Sequence, residues 1–219
     1  MHCITCGTKM AHLVEDLFIC RECELISSRL EPDFALYDKS YVVKYERYEQ
    51  TELGEKIQDL RAQHLLDKGI ESVLDYGCGV GSFVDVLSAK GFWCQGYDVN
   101  PYGPYNDPLV LLNRHQTVTM WDVIEHIPDP IRAIKLLDPE YFFCCTPSTD
   151  DWKGDKRHIT KWRHYMPGEH VHYFNKKSIT KLLTNCGYEI LEVNYDESKL
   201  RTGGGDKNII SVAARRKNG

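Results

Sequence analysis

Val73-Leu74-Asp75-Tyr76-Gly77-Cys78-Gly79-Val80-Gly81 decides how the chain is read. Residues 72–75 form a short buried strand that runs straight into a turn of glycines. A glycine-rich turn at the carboxyl end of a first strand lets a ligand approach the backbone closely. The spacing is G-x-G-x-G with an acid two residues ahead of the first glycine, whereas a dinucleotide site reads G-x-G-x-x-G. Residues 82–90 follow as a helix with Phe83, Val86 and Leu87 on one face and Gly91 as its stop. Residues 92–98 read as a second strand. It ends on Asp98, 23 residues after Asp75, where an acid can accept both hydroxyls of a ribose. Glycines at this spacing are a weak signal alone; the strand, helix and closing acid around them make it a strong one.

The alternation continues outward. Residues 117–122 read as a strand, preceded by a short, ambiguous one near 109–112. A helix over 130–137, a strand over 141–145 and a helix over 176–185 follow, the last ended by Cys186-Gly187. Residues 188–195 and 208–214 are the closing strands, joined across Gly203-Gly204-Gly205. Alternating strands and helices predict a mainly parallel sheet with helices on both faces. The two closing strands predict an antiparallel hairpin at one edge. This α/β unit spans 69–217.

The first 30 residues are of another kind. Cys3-Ile-Thr-Cys6 and Cys20-Arg-Glu-Cys23 are two CxxC pairs separated by 13 residues. Each pair can form a tight turn that aims two thiolates at one point, and together they supply the four sulfurs that zinc prefers. Leu17-Phe18-Ile19 between them suits a short hairpin. A segment this short cannot build a core alone, so a bound Zn(2+) would supply folding energy. Four thiolates leave no open coordination position, so this zinc ribbon is structural. Coincidental pairs or a redox-active pair are the competing readings. Residues 31–68 read as linker and helix. Tyr37, Tyr41, Tyr45 and Tyr48 recur at spacings of 4, 4 and 3, which puts four rings on one helical stripe. The stripe either packs on the main unit or covers a ligand.

Composition narrows the classes. At 42% hydrophobic and 27% charged residues the chain can build a packed core, and no apolar run approaches the length of a membrane span. A net charge of −5 means that any nucleic-acid contact needs a local basic patch. Nine cysteines, an odd number, fit reduced thiols better than a disulfide framework. Without a basic segment leading into an apolar stretch at Met1, a cytoplasmic location is the expectation.

Residues 73–81 resemble motif I of class I S-adenosylmethionine methyltransferases, and Gly96-Tyr97-Asp98-Val99-Asn100-Pro101 looks like their acidic-loop motif. Thr119-Met120-Trp121-Asp122-Val123-Ile124-Glu125-His126-Ile127-Pro128-Asp129-Pro130 is similar to the fourth-strand motif of the branch that includes ubiquinone-type O-methyltransferases. Phe143-Cys144-Cys145-Thr146-Pro147 resembles the strand that follows. Trp162-Arg163-His164-Tyr165-Met166-Pro167-Gly168-Glu169-His170-Val171-His172-Tyr173-Phe174 resembles a segment of bacterial and phage methyltransferases. The resemblance covers about 71–214 and implies a Rossmann-like class I sheet, S-adenosyl-L-methionine as cofactor and methyl transfer as activity. It implies that Gly77 and Gly79 line the methionine portion with Asp75 in support, that Asp98 binds the ribose, and that Trp121 and Asp122 close the pocket. Tyr76, Cys78 and Val99 stand beside these and join the cofactor set. The chain departs from the family between Asp98 and Thr117, where only 18 residues stand and Pro101, Gly103, Pro104 and Pro108 make the stretch loop-like. Asn106 and Asp107 are weak candidates for the adenine contact missing there.

The cofactor's sulfonium already carries an activated methyl group, so the protein mainly positions the acceptor and removes a proton. Asp122, His126 and His170 are the leading catalytic candidates, with His164 and His172 behind them. A divalent metal on Glu125, His126 and Asp122 is an alternative use of the same residues. The segment 152–174 is expected to form the acceptor side. Within 153–163, Lys153, Lys156, Arg157, Lys161 and Arg163 form a basic run, with Trp152 and Trp162 interleaved. It suits a nucleotide or nucleic-acid acceptor, or else is a solvated face. The acceptor class stays open between a small molecule, a sugar nucleotide and a nucleic-acid base. A non-catalytic cofactor-binding or zinc-mediated interaction module is the rival class, and the intact acid and glycine set favours the enzyme.

Overall fold

The computed structural model describes residues 1–152, 155–203 and 206–217. Strands β1 (Ala11–Val14), β2 (Leu17–Ile19) and β3 (Ile26–Ser28) come first, then helices α1 (Lys39–Glu49) and α2 (Glu52–Leu66). Alternation follows as β4 (Ser72–Tyr76), α3 (Ser82–Ala89), β5 (Trp93–Tyr97), β6 (Thr117–Trp121), α4 (Pro130–Leu137) and β7 (Tyr141–Pro147). β8 (His172–Tyr173), α5 (Lys176–Asn185), β9 (Tyr188–Asn194), α6 (Asp196–Thr202) and β10 (Ile209–Arg216) complete the order.

Six strands form the main sheet in the order β5-β4-β6-β7-β10-β9. β4 runs parallel to β5 and β6, and β6 parallel to β7, while β10 is antiparallel to both of its neighbours. This is the expected Rossmann-like sheet with an antiparallel closing edge. The pleat sorts its side chains between two cores. Leu74, Val118, Met120, Phe142 and Cys144 face Ile134 of α4 and Ile179, Leu182 and Leu183 of α5. Val73, Trp121, Phe143 and Cys145 face Ala62 and Leu65 of α2 and Phe83 and Leu87 of α3. The adjacent thiols Cys144 and Cys145 are therefore core residues on opposite faces.

Three expectations are corrected. The closing strands are not joined by a bare glycine loop: α6 stands between them and ends at Gly203, which holds φ +66°. Gly204 and Gly205 lie outside the described residues. Residues 109–112 are not a strand; Pro108–Leu112 is a 3-10 helix that begins with proline and is capped by the Asp107 carboxylate on Leu109 N. The tyrosine stripe does not lie on one continuous helix. Tyr37 precedes α1, and the chain breaks after α1 because Thr51 starts a new helix, its hydroxyl accepting from Gly54 N.

The N-terminal strands, expected to form a ribbon, do not make a sheet of their own. β3 pairs with β8 of the main unit, Ile26 opposite Tyr173 and Ser27 opposite His172. Cys3, Cys20, Cys23, Met10 and Leu25 share the α4/α5 core of the large sheet. His172 is the polar staple of this joint. Its Nε2 lies 3.1 Å from the Pro128 carbonyl, which can only accept, so Nδ1 accepts from the Ser27 hydroxyl at 2.9 Å. The ring is 5% exposed, so a lost partner is not replaced by bulk water. His172→Ala is expected to lower the unfolding free energy by about 2–4 kcal/mol, from two orphaned buried groups and a cavity. Urea unfolding measures it, and a loss under about 0.5 kcal/mol, typical of surface changes, would contradict the staple.

Candidate functional site

One large cavity of about 430 Å³ opens at the carboxyl ends of β4, β5 and β6. The glycine turn forms part of its wall. Gly77 holds φ +84°, and a Cβ there would lie 2.3 Å from Val123 Cγ2. Gly79 is bare for the opposite reason: at φ +57° a Cβ would meet only Glu49 Oε1, at 3.9 Å, so its missing side chain leaves backbone open to a ligand. Gly79 N donates to Asp98 Oδ2 at 2.9 Å and Asn100 N to Oδ1 at 2.7 Å, which fixes the Asp98 carboxylate at the cavity rim. Beneath the turn Asp75 is 3% exposed and accepts from Thr119 Oγ1 at 2.6 Å. Burial pushes its carboxyl up to about 7, and the Thr119 hydrogen bond opposes that only in part.

The cavity brings together Asp75, Tyr76, Gly77, Cys78, Gly79, Asp98, Val99, Trp121 and Asp122, all of the residues expected around the cofactor. Asn106 and Asp107 do not line it; Val99, Asn100 and Gly103 do. Tyr37, Tyr41, Tyr45 and Tyr48 all face the cavity, so the stripe walls a ligand space and does not merely pack on the sheet.

Asp122 has an unforeseen setting. Its backbone is left-handed at φ +55°, and its Oδ2 accepts from Arg61 Nη2 at 2.9 Å and Arg201 Nη2 at 2.5 Å. Both arginines also bind Glu197. Burial raises the Asp122 carboxyl, but Arg201 and Arg61 outweigh it and hold the group well below the usual carboxylate range. A carboxylate held ionised this firmly is a weak base. Arg61, Arg201, Glu49 and Glu197 escaped the sequence reading. For α6 a signal existed: acids Asp196 and Glu197 first, bases Lys199 and Arg201 last, then Gly203, the charge order a helix favours.

The same cavity is lined by Glu125, His126 and His170, whose ligand atoms all fall within 4.8 Å of one another. Glu125 is 1% exposed, and neither carboxylate oxygen has a hydrogen-bond partner among the described residues. Burial, with the Asp122 charge adding to it, pushes its pKa well up. The Glu169 carbonyl lies 3.0 Å from His126 Nδ1, which also lies 3.0 Å from the Tyr37 hydroxyl, and the His164 carbonyl lies 3.0 Å from His170 Nδ1. Carbonyls only accept, so each Nδ1 carries the proton and each Nε2 keeps its lone pair. Burial lowers the pKa of His126 and pushes that of His170 down to about 3, which favours the neutral ring in each case. Two neutral imidazoles oriented by carbonyls and one orphaned carboxylate form a donor set that fits a divalent cation.

The segment expected on the acceptor side divides. His164, Met166 and His170 line the cavity, while His172 is the buried staple and Trp162 is buried near the Tyr173 ring. The basic run turns away. Lys156 pairs with Glu24 of the ribbon at 2.6 Å and Arg157 with Asp155; Lys153 lies outside the described residues. No residue of 155–163 lines the cavity. In the ribbon, all four thiols lie within 4.8 Å of one another, with Cys3 Sγ 3.6 Å from Cys23 Sγ. Cys6 N donates to Cys3 Sγ at 3.4 Å, and the residues that turn the chain after each pair, Gly7 and Glu24, hold φ +71° and +61°. The pocket of sulfurs suits a four-coordinate metal.

Residues 45–193 match the model of a methyltransferase domain. The chain belongs to that family. It is an S-adenosylmethionine-dependent methyltransferase whose acceptor is unspecified. No curated protein sequence matches it. Among solved structures it is similar to magnesium protoporphyrin IX methyltransferase from Synechocystis PCC 6803 with bound SAH, at 18% identity and TM-score 0.61, over 84% of this chain and 97% of that one. It is also similar to 1,6-didemethyltoxoflavin-N1-methyltransferase from Burkholderia thailandensis, at 13% identity and TM-score 0.57, over 93% and 100%. The methyltransferase domain of bacterial CtHen1 aligns at 15% identity and TM-score 0.53, over 76% and 100%. At these identities the likeness is one of fold. No helix among the described residues is long and apolar enough to cross a membrane.

Asp75 makes the methyltransferase sensitive to pH. Its folded pKa, about 7, lies above the ordinary 3.8, so the folded state holds the proton longer than the unfolded chain. Its contribution to stability is present below pH 3.8 and is lost as pH rises towards 7. Without cofactor, wild type is expected to lose more stability than Asp75→Asn between pH 5 and 7.5. Urea midpoints measure this, and parallel curves would contradict it.

Proposed function

We propose that the enzyme methylates a hydroxyl on a small, planar, weakly charged acceptor. The observation that carries this is the character of the acceptor-side wall. Tyr37, Tyr41, Tyr45, Tyr48, His126, His164 and His170 offer ring faces and edges and Met166 a thioether, which together suit an aromatic ring. The cations lining the cavity, Arg61 and Arg201, are both paired, while Glu49, Asp75, Asp98, Asp122 and Glu125 add acidic groups. A phosphate-rich acceptor is poorly matched to such a lining.

In this reading the cofactor's methionine end lies over Gly77 and Gly79, with Tyr76 and Cys78 in the same turn and Asp75 supporting it. Asp98 takes the ribose, and Val99 and Trp121 flank the pocket. S-adenosylmethionine supplies the activated methyl group. His170, with His126 beside it, accepts the hydroxyl proton on a neutral Nε2; Asp122 organises the arginines rather than acting as base. A divalent cation on Glu125, His126 and His170 would occupy those same Nε2 atoms; where bound, it would lower the pKa of the acceptor hydroxyl and so take the place of the histidine base. A nucleic-acid acceptor is the rival, drawn from the fold likeness to the bacterial CtHen1 domain and to small RNA methyltransferase HEN1. The paired charges at Lys156 and Arg157 argue against it.

The test has two parts. Calorimetry of Asp98→Ala is expected to show S-adenosylmethionine bound about tenfold to hundredfold more weakly, the loss of charge-assisted hydrogen bonds worth about 1.5–3 kcal/mol. Unchanged affinity in the folded variant sinks the ribose assignment. Labelled-methyl transfer is then compared between a panel of phenols and catechols and a panel of RNA oligonucleotides. Transfer to the phenolic panel is expected, with His170→Ala reducing it about 100-fold at nearly unchanged cofactor affinity. Methylation confined to RNA overturns the small-acceptor reading.

We further infer that Cys3, Cys6, Cys20 and Cys23 hold one structural zinc as a ribbon, supported by the thiol cluster and the two left-handed turn residues. Elemental analysis of purified protein is expected to give one zinc per chain. On chelation, hydrogen exchange should rise first in β1 to β3 and then in β8, because the sheet is shared. Metal-free protein with native exchange in these strands refutes the assignment.

A further inference from the structure

Glu49 is the last residue of α1, the helix that carries three of the four cavity-facing tyrosines, and its side chain reaches the glycine turn. Oε2 accepts from the Ser82 hydroxyl at 2.7 Å. Oε1 is the atom nearest to where a Cβ on Gly79 would stand, at 3.9 Å, with only open space between. Glu49 therefore stands where two regions meet. Gly79 and Asp98 mark one, and Tyr45 and Tyr48 the other.

Methyl transfer puts a strict condition on that junction. The methyl group passes from sulfur to acceptor, so the sulfonium must lie where the cofactor space meets the acceptor space. A sulfonium is a weakly hydrated cation, and a carboxylate together with aromatic faces is the environment that stabilises one in a partly dry cavity. After transfer the sulfur is a neutral thioether, and this attraction disappears. Among the described residues Glu49 has no ion-pair partner, although it lines the cavity. Burial pushes its carboxyl up, and the Ser82 hydrogen bond and the Arg61 charge oppose that only in part.

We propose that Glu49 is a specificity-determining residue of the cofactor site, whose carboxylate faces the sulfonium and so separates S-adenosylmethionine from the thioether product. The inference rests on the cofactor placement proposed above. It adds a role for α1 beyond walling the acceptor, since the tyrosine helix ends in the group that senses whether a methyl remains to be transferred.

Calorimetry on the full chain tests it with three probes: S-adenosylmethionine, S-adenosylhomocysteine, and sinefungin, which carries an amine near the sulfonium position. Glu49→Gln keeps the size of the side chain and an acceptor for Ser82. It is expected to weaken S-adenosylmethionine and sinefungin about tenfold while leaving S-adenosylhomocysteine within about twofold. Glu49→Asp, which keeps the charge, should recover part of the ratio, and it serves as the reporter where the glutamine variant does not fold. A ratio of S-adenosylmethionine to S-adenosylhomocysteine affinity that is unchanged in the folded variants overturns the proposal, whether both affinities fall together or neither moves. Wild-type protein that binds none of the probes overturns the cofactor placement and this inference with it.

Discussion

Four charges, one buried and three partly so, hold the active-site floor. Arg61 comes from α2, Asp122 from the turn after β6, and Glu197 and Arg201 from α6. Each carboxylate meets both guanidiniums, so the set is neutral as a whole and every member is partnered. Such an arrangement adds little net stability over an apolar core, because desolvation offsets much of the attraction. Its value is geometric. Removing one member leaves the set with one uncompensated charge, so the network favours few relative positions of α2, β6 and α6. It also explains how Asp122 tolerates a left-handed backbone: the arginines fix the carboxylate, and aspartate is among the residues that visit that region most readily. The turn so fixed carries the chain directly into Glu125 and His126.

Local patterns were legible and long-range partnerships were not. The glycine turn, Asp98 and the two cysteine pairs could be read because their chemistry lies in spacings of a few residues. Strands β4, β6 and β7 could be read because each is a short segment with an apolar or β-branched core, buried on both faces of the sheet. α6 was missed because its buried residues are Glu197 and Ser198, so it lacks an apolar stripe. Glu49 and Arg61 were missed because single charges on an amphipathic helix read as its wet face. β8 is two residues long and forms through a partner 145 positions away, so no local rule finds it. The basic run was legible as composition, but its direction was not: Lys156 and Arg157 have acidic partners at hand, and the run lies along the ribbon.

The N-terminal cysteine-bearing unit thus has a place in the enzyme that sequence alone did not suggest. A three-stranded unit with four thiols inside could hang from the main unit on a linker. Here its edge strand takes β8 as a fourth strand, its cysteines pack on α5, and Asn185 donates to the Thr5 carbonyl. From β8 the connection to the site is short. Val171 N donates to the Glu125 carbonyl at 2.9 Å, and His172 holds the Pro128 carbonyl on the other side of the Glu125-His126 turn. Backbone hydrogen bonds of this kind transmit position over one or two residues with little slack, because the peptide units between them are rigid.

The contrast between the two donor clusters follows from the same physics. Four thiols packed in the core, three of them buried, form a closed set suited to a tetrahedral metal that does nothing but hold chain. Glu125, His126 and His170 form an open set on a cavity wall, with nitrogen and oxygen donors and space beyond them. An open set can exchange a ligand and so can act on a substrate, and a closed one cannot. His170 stands six residues from His164, whose carbonyl holds its Nδ1, and two from His172, the buried staple on the Pro128 carbonyl. Rigidity begins at the thiol cluster and passes through β3 and β8. In the proposed mechanism it ends at His170, whose free nitrogen would have to hold its direction toward the acceptor. An N-terminal unit placed far from the glycine turn in sequence can in this way belong to the catalytic architecture without touching the cofactor.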